Sequence, residues 1–285
     1  MFLLRWMSRW PLGLLHGLGA LAGWLAFCLS RSYGRRLWQH ARAAGASRWQ
    51  AWQAAAAAGK MLFEIPWLWL RPVATPLGRW VQWEGVERLD ALLAQGKGLL
   101  LMTPHMGCFE ITAQAFAQRY GAQHPITVLF RPAKKPWLRE LVAASRNRPG
   151  LEAAPATLAG VRHMLRALKG GQCVGLLPDQ VPPEGLGLWA PFFGRPAYTM
   201  TLAARLLLQT KAPVALLWGE RLSWGRGFCI HVREFPAPPP EATLDHVTLE
   251  INRAMEGLIL EAPQQYLWGY NRYKGPRPLD LGDLS

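Results

Sequence analysis

The chain lacks acidic residues at its start. In a sequence of 285 residues the first acidic residue is Glu64, and eight basic residues precede it: Arg5, Arg9, Arg31, Arg35, Arg36, Arg42, Arg48 and Lys60. The formal net charge of the whole chain is +14. A basic excess favours a negatively charged partner, and nucleic acid, anionic lipid and an acidic protein all qualify.

Cysteine is scarce as well. The four cysteines are Cys28, Cys108, Cys173 and Cys229, and they form neither a CxxC motif nor a close pair. This spacing excludes a zinc ribbon and a disulfide framework, and it suits a reducing compartment. The chain also has no internal repeat, no G-x-S-x-G nucleophile elbow and no recognised nucleic-acid-binding motif.

One long apolar stretch lies near the N-terminus. Residues 10–30 contain no Asp, Glu, Lys or Arg, and Trp10 and Tyr33 lie near its two ends. Its length predicts a transmembrane helix with aromatic anchors. A cleaved signal peptide is disfavoured because its apolar core would be shorter, whereas a buried helix of a soluble domain remains an alternative. Five arginines follow the stretch and two precede it, which predicts that the C-terminal side faces the cytoplasm.

The chain divides into three predicted regions: a membrane anchor at 1–33 with a span of about 10–30, a helical juxtamembrane segment at 34–80, and an α/β domain at 81–285. The tryptophans and basic residues of the middle segment suit either a membrane-surface element or helices packed on the main domain.

Strand and helix patterns alternate after residue 80. Short apolar runs predict strands at 98–102, 126–130, 173–178 and 213–219, and an alternating run predicts an edge strand at 228–235. Helical periodicity covers 109–119, 136–146, 157–169, 199–210 and 243–261. We therefore expect an α/β fold, in which helices flank a central, largely parallel sheet. His105, Arg131 and Asp179 each follow a predicted strand, and ligand sites of such sheets lie beyond the carboxyl ends of strands.

His105 and Glu110 form the first candidate for catalysis. Five residues of continuous helix would place the two side chains about 140° apart, so they would not meet. Pro104 and Gly107 predict a turn between them, with a helix that begins near Phe109. Glu110 would then orient one imidazole nitrogen, and the other nitrogen would act as a general base. Two other interpretations stay open: a polar turn that closes a buried strand, and a metal site through His105, Cys108 and Glu110.

Four ordered segments resemble a known family. TPHMGCFE (103–110) is similar to the H-x4-[DE] block of glycerolipid-type acyltransferases, and in particular to that of the bacterial lipid A biosynthesis acyltransferases. Their later blocks resemble the segments LFRPAKKPWL (129–138), SRNRPGLEAAPATLAGVRHMLRALKGGQCVGLLPDQ (145–180) and GLWAPFFGRPAYTMTLAARL (187–206). The chain departs from the family in LWGYNRYKGPR (267–277), where Tyr270 and Asn271 stand in place of the usual histidine and first arginine.

The resemblance implies transfer of a fatty acyl chain from an acyl carrier protein thioester to a hydroxyl of a lipid A precursor. It places this reaction at the cytoplasmic face of the cell inner membrane, on a single-pass protein, and it implies no metal or cofactor. It assigns His105 as the base and Glu110 as its orienter. It maps a conserved family arginine to Arg146 or Arg148, which would hold either an acceptor phosphate or the developing oxyanion. It makes Asp179 a partner of that arginine or of the site loops. Independently of the resemblance, the basic cluster that begins with Arg131 suits either a contact for the carrier protein or lipid phosphates, or a solvated helix face.

Other functions remain open at this stage. The same His–Glu pair would serve a thioesterase or hydrolase that acts with water. A membrane-bound acyltransferase for another amphipathic lipid is a further alternative. A basic protein that binds a membrane or nucleic acid without catalysis also fits the charge.

Overall fold

A computed structural model describes residues 2–72, 75–130 and 148–277 of the chain. Within these ranges seven strands form one sheet: β1 (Val81–Glu84), β2 (Leu99–Met102), β3 (Ile126–Phe130), β4 (Leu151–Pro155), β5 (Cys173–Leu176), β8 (Val214–Arg221) and β9 (Phe228–Phe235). Two further strands, β6 (Gly187–Phe192) and β7 (Arg195–Met200), pair as a separate antiparallel hairpin.

The strand order of the sheet is β1-β9-β8-β2-β5-β3-β4. Strands β8, β2, β5, β3 and β4 run parallel to one another, whereas β9 runs antiparallel to β8. The centre of the sheet is therefore parallel, as predicted, and the carboxyl ends of β2, β5 and β3 lie along one edge.

Helices flank this sheet. In the described residues they are α1 (Phe2–Met7), α2 (Leu12–Leu29), α3 (Arg31–Ala43), α4 (Arg48–Trp69), α5 (Val86–Leu93), α6 (Phe109–Tyr120), α7 (Leu158–Lys169), α8 (Leu202–Thr210) and α9 (Leu244–Glu261). The predicted α/β fold with an N-terminal apolar helix is confirmed.

Both faces of the sheet are buried. Successive side chains of a strand point to opposite faces, so Leu100 and Met102 of β2 join one apolar core while Leu99 and Leu101 join the other. Alanines of α4 pack in the first core, and Trp67, near the end of the same helix, packs in the second. Helix α4 thus contributes to both cores.

The predicted helical segment at 34–80 contains most of α3 and all of α4. The chain turns at Gly45, whose φ of 87° lies in the left-handed region that glycine tolerates. Ser47 then starts α4 with a capping box: its hydroxyl accepts from the Gln50 backbone N–H, and the Gln50 side chain accepts from the Ser47 N–H.

Two predictions about strands and helices differ from the structure, and a third lies outside the described residues. Strand β9 was predicted at an edge, but it is internal because β1 pairs with it on the side away from β8. The helix predicted from residue 199 begins at Leu202, since 199 and 200 belong to β7. The helix predicted at 136–146 lies outside the described residues.

Helix α2 coincides with the predicted membrane span. It is long and apolar enough to cross a membrane by length and composition, and one third of it is buried inside the protein. Length and composition alone do not determine whether α2 crosses a membrane, because its contacts with the rest of the protein also matter.

Candidate active site

The candidate site begins with the turn that follows β2. Gly107 has a φ of 55°, and a Cβ atom at this position would meet the carbonyl oxygen of Gly219 in β8. The backbone N–H of Gly107 donates to the carbonyl of Gln265 at 2.9 Å, and that of Cys108 donates to Gly219 at 2.8 Å. Helix α6 then starts at Phe109 and has Glu110 in its first turn. The turn and the helix start predicted from the sequence are confirmed.

His105 is paired with Asp179. The imidazole Nδ1 lies 2.6 Å from Oδ1 of Asp179, and the backbone N–H of His105 donates to Oδ2 at 2.9 Å. A carboxylate only accepts hydrogen bonds, so Nδ1 carries the proton and Nε2 is the basic nitrogen. The His105 side chain is 18% exposed, whereas the Asp179 side chain is 1% exposed. His105 is therefore accessible to solvent, whereas Asp179 is buried inside the protein.

The sheet register explains why these two residues meet. Strands β2 and β5 are neighbours, and Met102 is aligned with Leu176. His105 and Asp179 each lie three residues beyond those aligned positions. The sequence predicted both residues at strand ends, and the structure brings them together although they are 74 positions apart.

Electrostatics keep Asp179 ionised. Burial alone would favour the neutral acid, but the positive charge that His105 carries when it is protonated and the two hydrogen bonds that it donates hold the pKa of Asp179 below its ordinary value. The guanidinium of Arg272 acts in the same direction. The pKa of the buried Tyr266 is raised well above its ordinary value, first by burial and then by the charge of Asp179.

Glu110 lies beside the pair but makes a different contact. Its Oε2 accepts a hydrogen bond from the indole Nε1 of Trp69 at 3.3 Å. The sequence predicted that Glu110 orients His105, but it is Asp179 that accepts the hydrogen bond from the imidazole Nδ1–H. A role for Glu110 in the reaction stays a prediction. Trp69, at the end of α4, is a neighbour that the sequence analysis did not connect with this site.

An apolar cavity of about 360 Å³ adjoins His105 and Glu110. Thr103, Gln114 and Gln180 are among its few polar lining residues, and the apolar lining includes Phe109, Phe116, Val128, Phe130, Leu151 and Leu177. A site of this size and lining suits a largely apolar ligand whose reactive group lies at a polar end. The cavity lies between β2, β3, β5 and α6.

The predicted arginines have separate outcomes. Arg131 and Arg146 lie outside the described residues. Arg148 is buried, and one of its guanidinium nitrogens donates to the carbonyls of Leu68 at 3.2 Å and Arg71 at 3.1 Å. It thereby satisfies carbonyl groups that a helix end leaves without partners, here at the end of α4. Arg148 is not among the residues that line the cavity.

A buried ion pair supports the turn that follows β2. Arg221, at the end of β8, donates to both carboxylate oxygens of Glu64, at 2.7 and 2.6 Å, and to the carbonyl of Gly107 at 3.0 Å. Burial favours neutral Glu64, but the charge and hydrogen bonds of Arg221 prevail and lower the pKa of Glu64 to about 2. Nε2 of His16 in α2 lies 3.0 Å from the same carboxylate. Sequence reasoning missed this cluster because its members are far apart in the chain.

The C-terminal segment closes the other side of the site. The backbone N–H of Leu267 donates to the carbonyl of His105 at 3.1 Å, and the hydroxyl of Tyr270 accepts from the Val181 N–H at 2.9 Å. Arg272 is buried and donates to the carbonyl of Tyr198 and to the hydroxyl of Thr199, both at 2.8 Å. Residues 267–277, where the sequence departs from the family pattern, therefore contact the turn that follows β2 and the loop after Asp179.

The sequence also matches known proteins. A profile of the family described as bacterial lipid A biosynthesis acyltransferase matches residues 51–275. The chain belongs to this family. The resemblance inferred from the four sequence blocks is thus confirmed, and the protein is an acyltransferase of the lipid A biosynthesis family.

Three individual relatives are between 25% and 28% identical to this chain. The acyltransferase is 26% identical over 220 residues to the lipid A biosynthesis lauroyltransferase of Escherichia coli (strain K12). The matched residues make up 76% of this chain and 69% of the relative. It is 25% identical over 228 residues to the lipid A biosynthesis palmitoleoyltransferase of the same organism, covering 79% and 71%. It is also 28% identical over 172 residues to a phosphatidylinositol mannoside acyltransferase of Mycobacterium tuberculosis (strain ATCC 25618 / H37Rv), covering 58% and 52%.

Proposed function

We propose that the acyltransferase moves a fatty acyl chain from an acyl carrier protein thioester to a hydroxyl of a lipid A precursor, with His105 as the general base. The observation that supports this reaction best is the His105–Asp179 pair beside an apolar cavity of about 360 Å³. The cavity would hold the acyl chain, and its polar end would place the thioester carbonyl near the imidazole.

The reaction follows from the chemistry of the pair. Nε2 of His105 removes the proton of the acceptor hydroxyl while the hydroxyl oxygen attacks the thioester carbonyl. The tetrahedral intermediate then expels the carrier thiolate, and the imidazolium returns the proton to the sulfur. The products are an ester and the free carrier thiol. Asp179 stabilises the imidazolium and keeps the proton of the resting enzyme on Nδ1, which is the function of the carboxylate in hydrolase triads.

Glu110 retains a predicted part in this mechanism. It lines the same cavity as His105 and is held by the Trp69 indole. We assign the orientation of the imidazole to Asp179 and keep Glu110 as a catalytic candidate at the entry of the acceptor. Arg131 remains a proposed contact for the carrier protein or for lipid phosphates, and Arg146 remains one for an acceptor phosphate or the developing oxyanion. Both proposals rest on the sequence blocks that contain these residues.

We further propose that the enzyme works at the cytoplasmic face of the cell inner membrane. The apolar helix α2 and the basic N-terminal region support an association with an anionic membrane. No nucleic acid is needed to account for this charge.

The test is a transfer assay with purified full-length protein, acyl carrier thioester and lipid A precursor. We expect His105→Ala to lower kcat by about 10²–10⁴, the usual contribution of a general base. His246→Ala is the matched control because His246 is exposed and lies outside the site. Free fatty acid release that is independent of the acceptor would instead identify a thioesterase.

A second acceptor class is supported by one comparison. The similarity to a phosphatidylinositol mannoside acyltransferase points to a different glycolipid as the alternative acceptor of the acyl chain. The same assay with a glycosylated phospholipid in place of the lipid A precursor separates the two. A higher kcat/KM with that lipid would replace the proposed acceptor and leave the catalytic pair unaffected.

A further inference from the structure

Helix α2 packs lengthwise on α4. Its residues pair with α4 in reverse order: His16 with Glu64, Gly19 with Lys60, and Trp24 with Trp52. A Cβ atom on Gly19 would lie 2.7 Å from the Cα of Lys60, so the two backbones are in direct contact at this point. The helices are therefore antiparallel, and they touch over most of the length of α2.

Both ends of α2 are fixed to the rest of the protein. Near its start, a Cβ atom on Gly13 would lie 3.2 Å from the carbonyl oxygen of Trp224, in the turn between β8 and β9. Near its end, Phe27 contacts Trp52 of α4, with 5.5 Å between ring centroids. A helix that crosses a membrane must carry at least one of its ends about 30 Å away from a domain on the other side. Neither end of α2 is free in this way.

The partner helix cannot follow α2 into a bilayer. The alanines of α4 belong to the core that also contains the central strands of the sheet. Near its other end, Glu64 forms the buried ion pair with Arg221 of β8. If α2 spanned the hydrocarbon, α4 and part of the sheet edge would enter it as well, and their charged and polar groups would be placed at membrane depth.

The face of α2 that points away from α4 is apolar and uncovered. Leu14, Leu21, Leu25 and Leu29 are between 49% and 74% exposed. Their spacing follows the helical repeat, so they form one stripe along a helix that is about 27 Å long. A soluble protein seldom leaves such a large apolar surface open to water.

The charges around this stripe have one sign. Arg5 and Arg9 are exposed before α2, and Arg31 and Arg35 are exposed just after it. Trp6 in α1 is also 52% exposed. Since no acidic residue occurs before Glu64, the surface near the stripe carries positive charge without neutralisation from its own segment. Basic residues at both ends of an apolar helical face are typical of a helix that lies in the interface of an anionic membrane.

We propose that α2 does not cross the membrane and instead lies along its surface, with the leucine stripe inserted into one leaflet and the flanking arginines on anionic lipid headgroups. Both chain termini then lie on the same side of the bilayer. This inference revises the single crossing predicted from the sequence, and it is independent of the proposed acyl transfer.

The first experiment measures topology. Full-length protein is expressed with a protease-sensitive epitope at the N-terminus or at the C-terminus, and both forms are digested in spheroplasts and in everted inner-membrane vesicles. We expect both epitopes to be cut in everted vesicles and protected in spheroplasts. If the N-terminal epitope is cut only in spheroplasts and the C-terminal one only in everted vesicles, α2 crosses the membrane and the proposal is wrong. Cleavage of both epitopes only in spheroplasts would keep the surface location of α2 and would overturn the cytoplasmic location in the proposed function.

The second experiment tests the stripe itself. Purified protein with Leu21→Glu and Leu25→Glu is titrated with vesicles of phosphatidylethanolamine and phosphatidylglycerol. We expect at least a tenfold loss of vesicle affinity, and a loss of affinity for the unchanged protein when phosphatidylglycerol is replaced by phosphatidylcholine. The control carries Leu158→Glu and Leu260→Glu, which change two exposed leucines on α7 and α9.

The control should bind as the unchanged protein does. Equal affinity of the two double variants would refute the assignment of the stripe to the membrane. A stripe variant that binds vesicles normally but shifts from dimer to monomer in sedimentation would show that a second copy of the chain covers the stripe instead.

Discussion

At the scale of single residues, the arrangement of carboxylates around His105 separates two roles. Asp179 binds Nδ1 of the imidazole directly, whereas Glu110 lies on the cavity and accepts from Trp69. Only the carboxylate bonded to Nδ1 determines which nitrogen acts as the base. Substitutions of the two residues should therefore differ in their effects.

We predict that Asp179→Asn lowers kcat by about a hundredfold or more and changes KM little, because general-base catalysis contributes about 10²–10⁴ and the asparagine permits the wrong tautomer. The measurement is steady-state transfer to the lipid acceptor, with Glu110→Gln compared in parallel. An unchanged kcat for Asp179→Asn, together with a large loss for Glu110→Gln, would return the orienting role to Glu110.

Gly175 in β5 offers a second prediction at this scale. It lines the cavity, and a Cβ atom there would lie 3.0 Å from Cγ1 of Val128 and 3.3 Å from Cδ1 of Ile126, which also line it. We expect Gly175→Val to shift donor preference toward shorter acyl chains, by about fourfold in kcat/KM for each methylene excluded, from about 0.8 kcal/mol per buried methylene. Carrier thioesters of graded length provide the measurement.

The control for this substitution is Gly257→Val, on an open position of α9. It should leave the ratio of long-chain to short-chain donors unchanged. A shift of the same size in the control would show that the effect does not arise in the cavity.

The buried pair of Arg221 and Glu64 gives a stability prediction. Arg221→Met leaves the carboxylate of Glu64 buried without its cation, which costs about 3–5 kcal/mol in the free energy of unfolding. Urea unfolding in detergent measures the loss. Arg253→Met is the matched control, because Arg253 is exposed in its ion pair with Glu250, and such changes stay within about 0.5 kcal/mol. Equal losses of unfolding free energy in both variants would contradict a larger contribution of the buried pair to stability.

At the scale of elements, the contact between α2 and α4 depends on glycine. A Cβ atom on Gly19 would lie 2.7 Å from the Cα of Lys60 and 2.8 Å from the carbonyl oxygen of Gly59, whereas one on Gly17 would meet nothing within 4 Å. The two positions lie on opposite sides of the same helix, so they form a matched pair for substitution.

We predict that Gly19→Ala destabilises the protein by about 1–3 kcal/mol, the usual cost of overpacking. Gly17→Ala should be neutral or stabilising by up to about 1 kcal/mol, since alanine favours a helix more than glycine does. Thermal unfolding in detergent measures both. If Gly19→Ala proved as stable as Gly17→Ala, the close packing of the two helices would not hold in solution.

Elements that have a clear hydrophobic pattern were predictable from the sequence. Strand β3 has the predicted bounds, 126–130, and the helix predicted at 157–169 differs from α7 by one residue. Strands β1, β4, β6 and β7 were missed. Strand β1 alternates between half-buried and exposed residues, and its position depends on pairing with the distant β9. Such pairing is a tertiary contact that local pattern does not contain.

The site was predictable only in part, for a related reason. His105 and Asp179 were identified at strand ends, but their pairing required the strand order, which places β5 next to β2. The sequence offered Glu110 as the partner because it is near in the chain. Arg221, Tyr266 and Arg272 were not identified, since nothing in their local sequence indicates contact with residues more than 70 positions away.

At the scale of the whole molecule, stability should depend on acid pH in a defined direction. Glu64 has its pKa lowered from 4.5 to about 2, and the pKa of Asp179 is lowered as well. A carboxyl group whose pKa is lower in the folded state contributes stability above its unfolded pKa, and that contribution disappears as the pH falls through the folded pKa.

We therefore predict that the free energy of unfolding decreases as the pH falls from about 5 toward 2, with most of the Glu64 contribution lost between about 4.5 and 2. Urea titrations at a series of pH values measure this dependence. Glu64→Gln should be less stable at pH 7 and should show a shallower slope over the same interval. A steeper slope in this variant would assign the acid sensitivity to other groups.

The alignment of β2 with β5 also bears on how this family can vary. The His105–Asp179 pair depends on two adjacent strands and on the three residues after each of them, so most of the 70 or so residues between β2 and β5 do not set its geometry. A change of length in the loop between α6 and β3 should therefore leave the imidazole beside its carboxylate. A deletion of one residue between Met102 and His105 should move the imidazole out of register with Asp179. The short segments after β2 and β5 are thus the part of the chain whose length should tolerate change least.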